Sequence, residues 1–259
     1  MSGPGDTWAA GAAYEPFIGR WSRPVAAEFV RWLAVPAGRR WLDVGCGTGA
    51  LTQTVLSMAD PREVRAIDPS AGFVRYAAER IPDPRAHFGV GSATDLPDGP
   101  FDAIVSGLVL NFVPEPAAAL AAMSAAAPGG LIAAYVWDYA EGMELLRLFW
   151  DAAVAIDPSA AELDEGQRFP LCSPDALDEL WRQSGLDDVD LRAIRVPTFF
   201  ADFDDYWTPF LGGQGPAPTY VAGLDEDARA ALCARLRDRL GDGGTIRLSA
   251  RAWAVRGRA

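Results

Sequence analysis

The chain has 259 residues, of which 50% are hydrophobic and 22% charged, so it is long and apolar enough to bury a sizeable core. Its formal net charge is −12 and it contains no lysine, which argues against a nucleic-acid substrate because nucleic-acid-binding surfaces are basic. The three cysteines form neither a metal pair nor a disulfide framework, which predicts a reducing, cytoplasmic setting. Neither a signal peptide nor a membrane span is predicted.

Residues 1–35 are predicted to form an N-terminal lid and a first helix. Residues 1–23 are rich in aromatic side chains, which predicts that the segment either packs on the core or closes over a ligand. An amphipathic helix is predicted over residues 24–33, since proline is tolerated in a first turn and the apolar positions that follow share one face.

The most informative stretch runs from residue 40 to residue 49. An apolar strand is predicted there, with Asp43 at its carboxyl end, and a turn with glycines at every second position follows it. Glycine permits positive φ and close approach of the backbone to a ligand. The helix predicted over residues 50–58 points its N-terminus, with unpaired N–H groups, at whatever occupies the turn.

The string Leu-Asp-Val-Gly-Cys-Gly-Thr-Gly at residues 42–49 resembles the first motif of class I S-adenosylmethionine (SAM) methyltransferases of the type-11 and ubiquinone/menaquinone groups. Its G-x-G-x-G spacing favours SAM over NAD, because dinucleotide-binding turns are spaced G-x-G-x-x-G. The resemblance covers about residues 40–140. It implies SAM as cofactor and a Rossmann-like α/β fold with helices on both faces of a seven-stranded sheet, parallel except for the last strand. It also implies cofactor contacts at Asp43, Gly45, Cys46 and Gly47.

The second predicted strand, residues 64–68, ends in Asp68. An acid at this place in a nucleotide-binding sheet accepts hydrogen bonds from the ribose hydroxyls. The alternative is a helix N-cap, because a helix is predicted over residues 70–80. In similar methyltransferases a proline follows this acid, so the resemblance adds Pro69 to the cofactor contacts.

A third strand is predicted over residues 85–90 and contains His87, the one histidine of the chain, which is interpreted as structural rather than catalytic. Residues 91–97 resemble the adenine-side motif of the family, with Ser92 where an aspartate usually stands. The resemblance therefore implies adenine contacts at Ser92 and Ala93, and the serine hydroxyl would bind without charge assistance.

The fourth and fifth predicted strands, residues 101–106 and 131–137, flank a helix over residues 116–126. By resemblance, Ser106 ends the fourth strand beside the cofactor. Asn111 and Phe112 follow on the substrate side, although Asn111 could equally cap a helix. Asp138 and Tyr139 end the fifth strand and are the candidate general bases.

Two segments, residues 140–172 and 198–244, interrupt the regular alternation and are predicted cap or substrate insertions. Helices are predicted over residues 143–155, 173–183 and 225–240, a sixth strand over 189–196, and an antiparallel edge strand over 245–255. Aromatic residues of the insertions, among them Tyr206 and Trp207, are expected either to line an apolar substrate pocket or to pack a cap or dimer interface. The resemblance further implies that Tyr14, Arg20 and Trp21 close the site, with Arg20 on the methionyl carboxylate.

These observations predict one class I methyltransferase domain over residues 1–259. The expected reaction transfers a methyl group from SAM to a small apolar or aromatic metabolite by in-line displacement, without a metal, because no histidine cluster or acid set has ligand spacing. The alternatives are a non-catalytic SAM or S-adenosylhomocysteine binder, an NAD-dependent oxidoreductase and an RNA methyltransferase. A monomer or homodimer without nucleic-acid or membrane partners is expected.

Overall fold

A computed structural model describes residues 18–212 and 215–259 of the chain. Its seven strands are β1 (Arg40–Val44), β2 (Glu63–Asp68), β3 (Ala86–Val90), β4 (Ala103–Gly107), β5 (Leu131–Trp137), β6 (Asp187–Phe200) and β7 (Ile246–Arg258). Its α-helices are α1 (Arg20–Leu33), α2 (Ala50–Met58), α3 (Ala71–Arg80), α4 (Pro116–Ala126), α5 (Glu144–Val154), α6 (Glu165–Arg168), α7 (Pro174–Gln183), α8 (Phe203–Trp207), α9 (Pro216–Gly223) and α10 (Glu226–Leu240).

All seven strands form one sheet in the order β3-β2-β1-β4-β5-β7-β6. Strands β1 to β5 pair in parallel, whereas β7 is antiparallel to both of its neighbours, so β7 alone runs in the opposite direction. This arrangement confirms the predicted α/β fold with an antiparallel last strand. Because the strand order reverses between β1 and β4, a ligand crevice is expected at the carboxyl ends of these two strands.

The position predicted for the last strand is wrong, since β7 lies between β5 and β6 and not at the edge. Alternation of polar and apolar residues indicates which face of a strand is buried, but it does not indicate which strands pair with its edges. The edge strand on this side of the sheet is β6, which continues through Pro197 to Phe200 and is longer than predicted. Proline has no N–H to donate and is tolerated on an edge strand.

Helix α1 begins at Arg20, four residues before the predicted start, and therefore contains Pro24 in its interior. Its buried face packs on the sheet, and the ring of Phe29 lies 4.6 Å from that of Tyr135 on β5. The helix therefore covers the part of the sheet next to the expected crevice.

The two insertions pack against each other around an aromatic cluster. Phe149 of α5 stacks on Phe210 at 4.6 Å, and Phe210 lies 5.5 Å from Tyr206 of α8. All three side chains are fully buried. Their burial stabilises the contact between the two insertions, here called the cap, and the three side chains belong to the same hydrophobic core as the sheet.

Candidate active site

The glycine turn after β1 is held by backbone hydrogen bonds to the neighbouring strand. The N–H groups of Gly45 and Cys46 donate to the carbonyl of Ile67, at 2.8 and 2.9 Å. Gly45 has φ +78°, and a Cβ there would lie 2.5 Å from Cγ1 of Val109. Gly47 has φ +53° and faces open space. The turn thus needs glycine for its conformation and leaves a gap that a ligand can fill.

Asp68, at the carboxyl end of β2, organises the same turn. Its Oδ2 accepts from the N–H of Gly47 at 3.0 Å, and its Oδ1 accepts from the N–H of Ser70 at 2.8 Å. The cap of α3 is Ser70, whose hydroxyl accepts from the N–H of Phe73. The helix cap is therefore Ser70 and not Asp68. Desolvation by burial raises the pKa of the Asp68 carboxyl group.

Asp43 is completely buried behind the turn. Its Oδ2 accepts from the hydroxyl of Thr52 at 2.6 Å. Its Oδ1 has no hydrogen-bond partner among the described residues. Burial, as the largest cause, raises the pKa of this carboxyl group to about 7. A buried acceptor without a partner is costly, and a ligand that donates to it or brings positive charge near it relieves that cost.

A cavity of about 290 Å³ opens beside the turn, at the carboxyl ends of β2, β1, β4 and β5. Across neighbouring strands, the end of β2 is about 14 Å from the end of β5, since strands lie 4.7–4.9 Å apart. The cavity is lined by Ile18, Ser22, Gly45, Cys46, Gly47, Thr48, Ala50, Leu51, Asp68, Pro69, Ser70, Phe73, Gly107, Leu108, Val109, Phe112, Tyr135, Trp137 and Tyr139.

The cavity brings together seven of the residues singled out from the sequence. Five of them are predicted cofactor contacts, one is a predicted acceptor contact and one is a candidate base: Gly45, Cys46, Gly47, Asp68, Pro69, Phe112 and Tyr139. Phe169, which follows α6, touches the last two, with ring centroids 5.1 Å from Phe112 and 5.6 Å from Tyr139. The first insertion thus supports the part of the cavity wall formed by Phe112 and Tyr139, where the sequence predicts the methyl acceptor; this part is called the acceptor end below.

Asp43, buried behind the turn, is not among the lining residues, and four further predicted contacts also lie outside the lining. Ser92 is exposed, with its hydroxyl 3.3 Å from that of Thr94, and Ala93 is half-buried. The Ser106 hydroxyl and the Asn111 side-chain nitrogen are buried, and neither has a hydrogen-bond partner among the described residues. Ser106 precedes Gly107, the last residue of β4, and only the glycine reaches the cavity.

Asp138 does not lie in the cavity as a general base would. It is 2% exposed, forms an ion pair with Arg251 of β7 and accepts from the N–H of Glu141 at 3.1 Å. Because β7 neighbours β5, the carboxylate at the end of β5 meets an arginine that the sequence analysis could not place there. Asp138 therefore joins the sheet to the first insertion, outside the cavity lining.

Arg20 also has a different partner from the one predicted. Its Nη1 lies 3.0 Å from Oδ1 of Asp205, at the start of the second insertion. The guanidinium group lies 4.9 Å from the ring of Trp21 and 4.6 Å from that of Phe200. Trp21 is buried against Phe200 and not in the cavity. Tyr14 lies outside the described residues.

Tyr206 and Trp207, the acceptor contacts predicted in the second insertion, belong to the core of the cap. Tyr206 is fully buried, and its hydroxyl donates to the carbonyl of Leu145 at 3.1 Å. Trp207 packs on Phe210 at 5.9 Å. The alternative weighed from the sequence, packing of a helical cap, describes both residues.

Several lining residues were missed from the sequence. Tyr135 and Trp137 occupy alternate positions of β5, so they share the face that bears the cavity. This period-two pattern at the end of a strand was the available signal. Leu108 has φ +63°, and the turn it makes brings Val109 against Gly45. No local pattern predicts that contact.

Among residues 18–212 and 215–259, no group of three or more histidine, cysteine, aspartate or glutamate side chains is placed to hold a metal ion. Nor does any helix in these ranges have the length and apolar character needed to cross a bilayer.

The strand order, the glycine turn and the acid at the end of β2 define an α/β protein that binds a nucleoside-type cofactor at its topological switch point. Comparison with known proteins identifies the family. Residues 42–134 match the family model described as a methyltransferase domain. Trans-aconitate 2-methyltransferase of Methylobacterium radiotolerans is 31% identical over 66% of this chain and 70% of that protein.

Further relatives and solved structures to which this chain is similar are also described as methyltransferases. Ubiquinone biosynthesis O-methyltransferase of Xanthomonas axonopodis is 35% identical over 41% of this chain and 46% of that protein. The chain spans about a third to a half of the length of several curated relatives that it matches. A phosphoethanolamine N-methyltransferase of Haemonchus contortus, solved with S-adenosylhomocysteine, has a TM-score of 0.58 at 17% identity and covers 95% of this chain and 56% of that one. A candidate type II methyltransferase of Anaeromyxobacter dehalogenans has a TM-score of 0.65 at 20% identity, covering 90% and 95%.

The chain belongs to the family of class I methyltransferases, whose cofactor is SAM. The residues of the site fit this cofactor. Asp68 offers a carboxylate at the end of β2, Gly47 leaves the space that a side chain would fill, and Asp43 has an orphaned oxygen behind the turn.

Proposed function

We propose that this enzyme transfers the methyl group of SAM to a small, uncharged apolar or aromatic metabolite by in-line displacement without a metal. The observation that carries the proposal is the chemistry of the acceptor end of the cavity. Phe112, Tyr139, Tyr135 and Trp137 line it, and no charged side chain of the described residues does so there. Such a surface favours apolar and aromatic ligands.

SAM supplies an electrophilic methyl group on a positively charged sulfur atom when it is bound. The residues of the chain position it. Asp68 is placed to accept from ribose hydroxyls, and the glycine turn allows close approach of backbone N–H groups. Asp43 places negative potential behind the turn, where it favours a cationic ligand. The buried aromatic walls exclude water from the acceptor end.

Of the candidate general bases, Tyr139 lines that end of the cavity, whereas the other ionisable groups near the site are not placed to act there. Asp68 is held at the β2 end by two backbone N–H groups, and burial raises the pKa of the Cys46 thiol well above its usual range. Asp138 is paired with Arg251 outside the lining. An uncharged acceptor with its own nucleophilic lone pair, such as a neutral amine, needs no base, whereas a neutral phenol or thiol would have to pass its proton to Tyr139.

Tricarboxylates are disfavoured as acceptors, although two relatives are trans-aconitate methyltransferases. No arginine is among the lining residues, and residues 1–17 and 213–214 contain no lysine or arginine. The net charge of −12 opposes anionic ligands as well. A buried carboxylate without a cationic partner is costly, so a trianion is not expected to bind here.

The proposal is tested by incubating the enzyme and methyl-labelled SAM with a panel of aromatic amines, phenols and thiols, and with trans-aconitate. A product heavier by one methylene, about 14 mass units, is expected from a member of the aromatic set and not from trans-aconitate, with equal rates in the presence of a chelator. Transfer to trans-aconitate, or loss of activity with the chelator, contradicts the proposal. Tight SAM binding without transfer to any acceptor favours the non-catalytic alternative.

A further inference from the structure

We propose that the indole N–H of Trp137 is the hydrogen-bond donor that orients the methyl acceptor, and that the acceptor is an apolar ring compound carrying an uncharged carbonyl oxygen. This inference deepens the proposed function and rests on it. It assigns both a specificity-determining residue and a substrate class.

The first support is a buried indole N–H that lacks a partner among the described residues, on a side chain that lines the cavity. Trp137 is 2% exposed and lines the cavity, and its Nε1 has no hydrogen-bond partner among the described residues. A buried indole N–H normally finds a partner, because leaving it unpaired costs free energy. A ligand in the cavity can supply the missing acceptor.

Two other buried tryptophans of the fold have a hydrogen-bond partner for the indole N–H. Nε1 of Trp150 donates to the carboxylate of Glu165, and Nε1 of Trp181 donates to the carbonyl of Ile132 at 3.3 Å. Trp41 also lacks a partner among the described residues, but it is fully buried in the core and does not line the cavity. Trp137 combines an indole N–H that has no partner in the described part of the chain with a place on the cavity wall.

The second support is the position of Trp137 along the cavity. It is the last residue of β5, whereas Asp68 ends β2 on the far side of β1 and β4. Three strand spacings, about 14 Å, separate these ends, so the β5 end lies away from the ribose-binding acid. The donor therefore serves the acceptor end.

The third support is the chemistry that an indole can recognise. The indole N–H donates and cannot accept, so its partner must be an acceptor atom. The absence of arginine from the lining disfavours carboxylate and phosphate groups. A neutral carbonyl oxygen on a ring that packs against Phe112 and Tyr139 satisfies the donor and suits the apolar walls.

The test uses two probes of nearly equal shape, 1-indanone and indane, which differ by one carbonyl oxygen. Binding is measured by calorimetry on the full chain saturated with S-adenosylhomocysteine, for the wild type, Trp137→Phe and the matched control Trp41→Phe. We expect the wild type and Trp41→Phe to bind 1-indanone about tenfold more tightly than indane, and Trp137→Phe to lose this preference. In ¹⁵N-tryptophan spectra, 1-indanone should shift the indole resonance that is missing in Trp137→Phe.

Equal binding of the two probes by the wild type, no saturable binding of 1-indanone, or an unchanged preference in Trp137→Phe overturns the inference. Stabilisation of each variant by S-adenosylhomocysteine shows that it is folded. If Trp137→Phe does not fold, the wild-type preference between the probes decides. Because these readouts need no methyl transfer, their failure is distinguishable from failure of the proposed reaction.

Discussion

Asp43, the penultimate residue of β1, and Asp68, the last residue of β2, differ in their hydrogen-bonding partners. Asp68 has both oxygens occupied by backbone N–H groups, whereas Asp43 keeps one oxygen unpaired in full burial. In both residues desolvation raises the pKa, in Asp43 to about 7. Asp43 is therefore the group whose charge responds most to a cationic ligand.

We predict that SAM binds more tightly as the pH rises toward 7. A sulfonium or ammonium group nearby favours the ionised carboxylate, so binding below about pH 7 must release the proton that Asp43 holds. The dissociation constant should fall about tenfold between pH 5.5 and 7.5 and level off above. In Asp43→Asn most of this dependence should disappear, leaving the share of Asp68. Adenosine, which has no cationic group, is the matched control, and a flat SAM profile in the wild type contradicts the prediction.

The same shift makes the unliganded fold less stable as the pH rises from about 4 to about 7. In that interval the folded chain retains a proton on Asp43 that the unfolded chain, with the ordinary pKa of 3.8, has already released. The buried charge is thus a cost in folding that cofactor binding offsets.

Gly45→Ala is expected to abolish measurable SAM binding. The new Cβ would lie 2.5 Å from Cγ1 of Val109 and at φ +78°, so both the turn and a wall of the cavity must move. Gly185→Ala is the matched control, because it has φ +74° but open space around its Cβ. Both variants should lose about 1–2 kcal/mol of stability from the positive φ alone. SAM affinity that falls equally in the two variants contradicts the prediction.

At the scale of elements, the contact between Arg20 and Asp205 ties α1 to the second insertion. Both side chains are about one-third exposed, so solvent screens the pair. We predict that Asp205→Asn lowers the free energy of unfolding by less than about 1 kcal/mol and leaves SAM affinity unchanged. Urea unfolding and calorimetry measure the two quantities.

Arg20→Gln separates this reading from the sequence-based prediction that Arg20 binds the methionyl carboxylate. If Arg20→Gln weakens SAM binding tenfold or more while Asp205→Asn does not, the carboxylate role is supported. Equal, small effects of the two variants support a tie between helix and cap.

The elements also explain which predictions could be made from sequence. The glycine turn and Asp68 lie on a strand–turn–helix pattern whose geometry is fixed within a few residues, so their positions beside the cavity could be predicted from the sequence. Asp138, Arg20 and Tyr206 are defined by partners 113, 185 and 61 positions away. Local periodicity carries no information about such pairings, and the order of β6 and β7 in the sheet was missed for the same reason.

At the scale of the whole molecule, the cofactor should contribute a large share of folding stability. S-adenosylhomocysteine at 100 times its dissociation constant stabilises the folded state by about 2.7 kcal/mol if it does not bind the unfolded chain. For a chain of this size that corresponds to a rise in Tm of about 5–10 °C. Differential scanning fluorimetry measures it, with Asp98→Asn, at an exposed position, as the control variant. An unchanged Tm in the wild type contradicts the prediction.

The place of β7 also sets the order in which the molecule can assemble. In the described part of the chain, β6 pairs with no strand except β7, and β5 meets β7 along its outer edge. While a ribosome is still making residues 187–245, β6 has nothing to pair with, and Asp138 is without Arg251. The parallel half of the sheet, which holds the glycine turn, can form first. The part of the sheet beneath the cap can form only when β7 has been made. During that interval β5 and β6 have unpaired edges that can associate with other nascent chains.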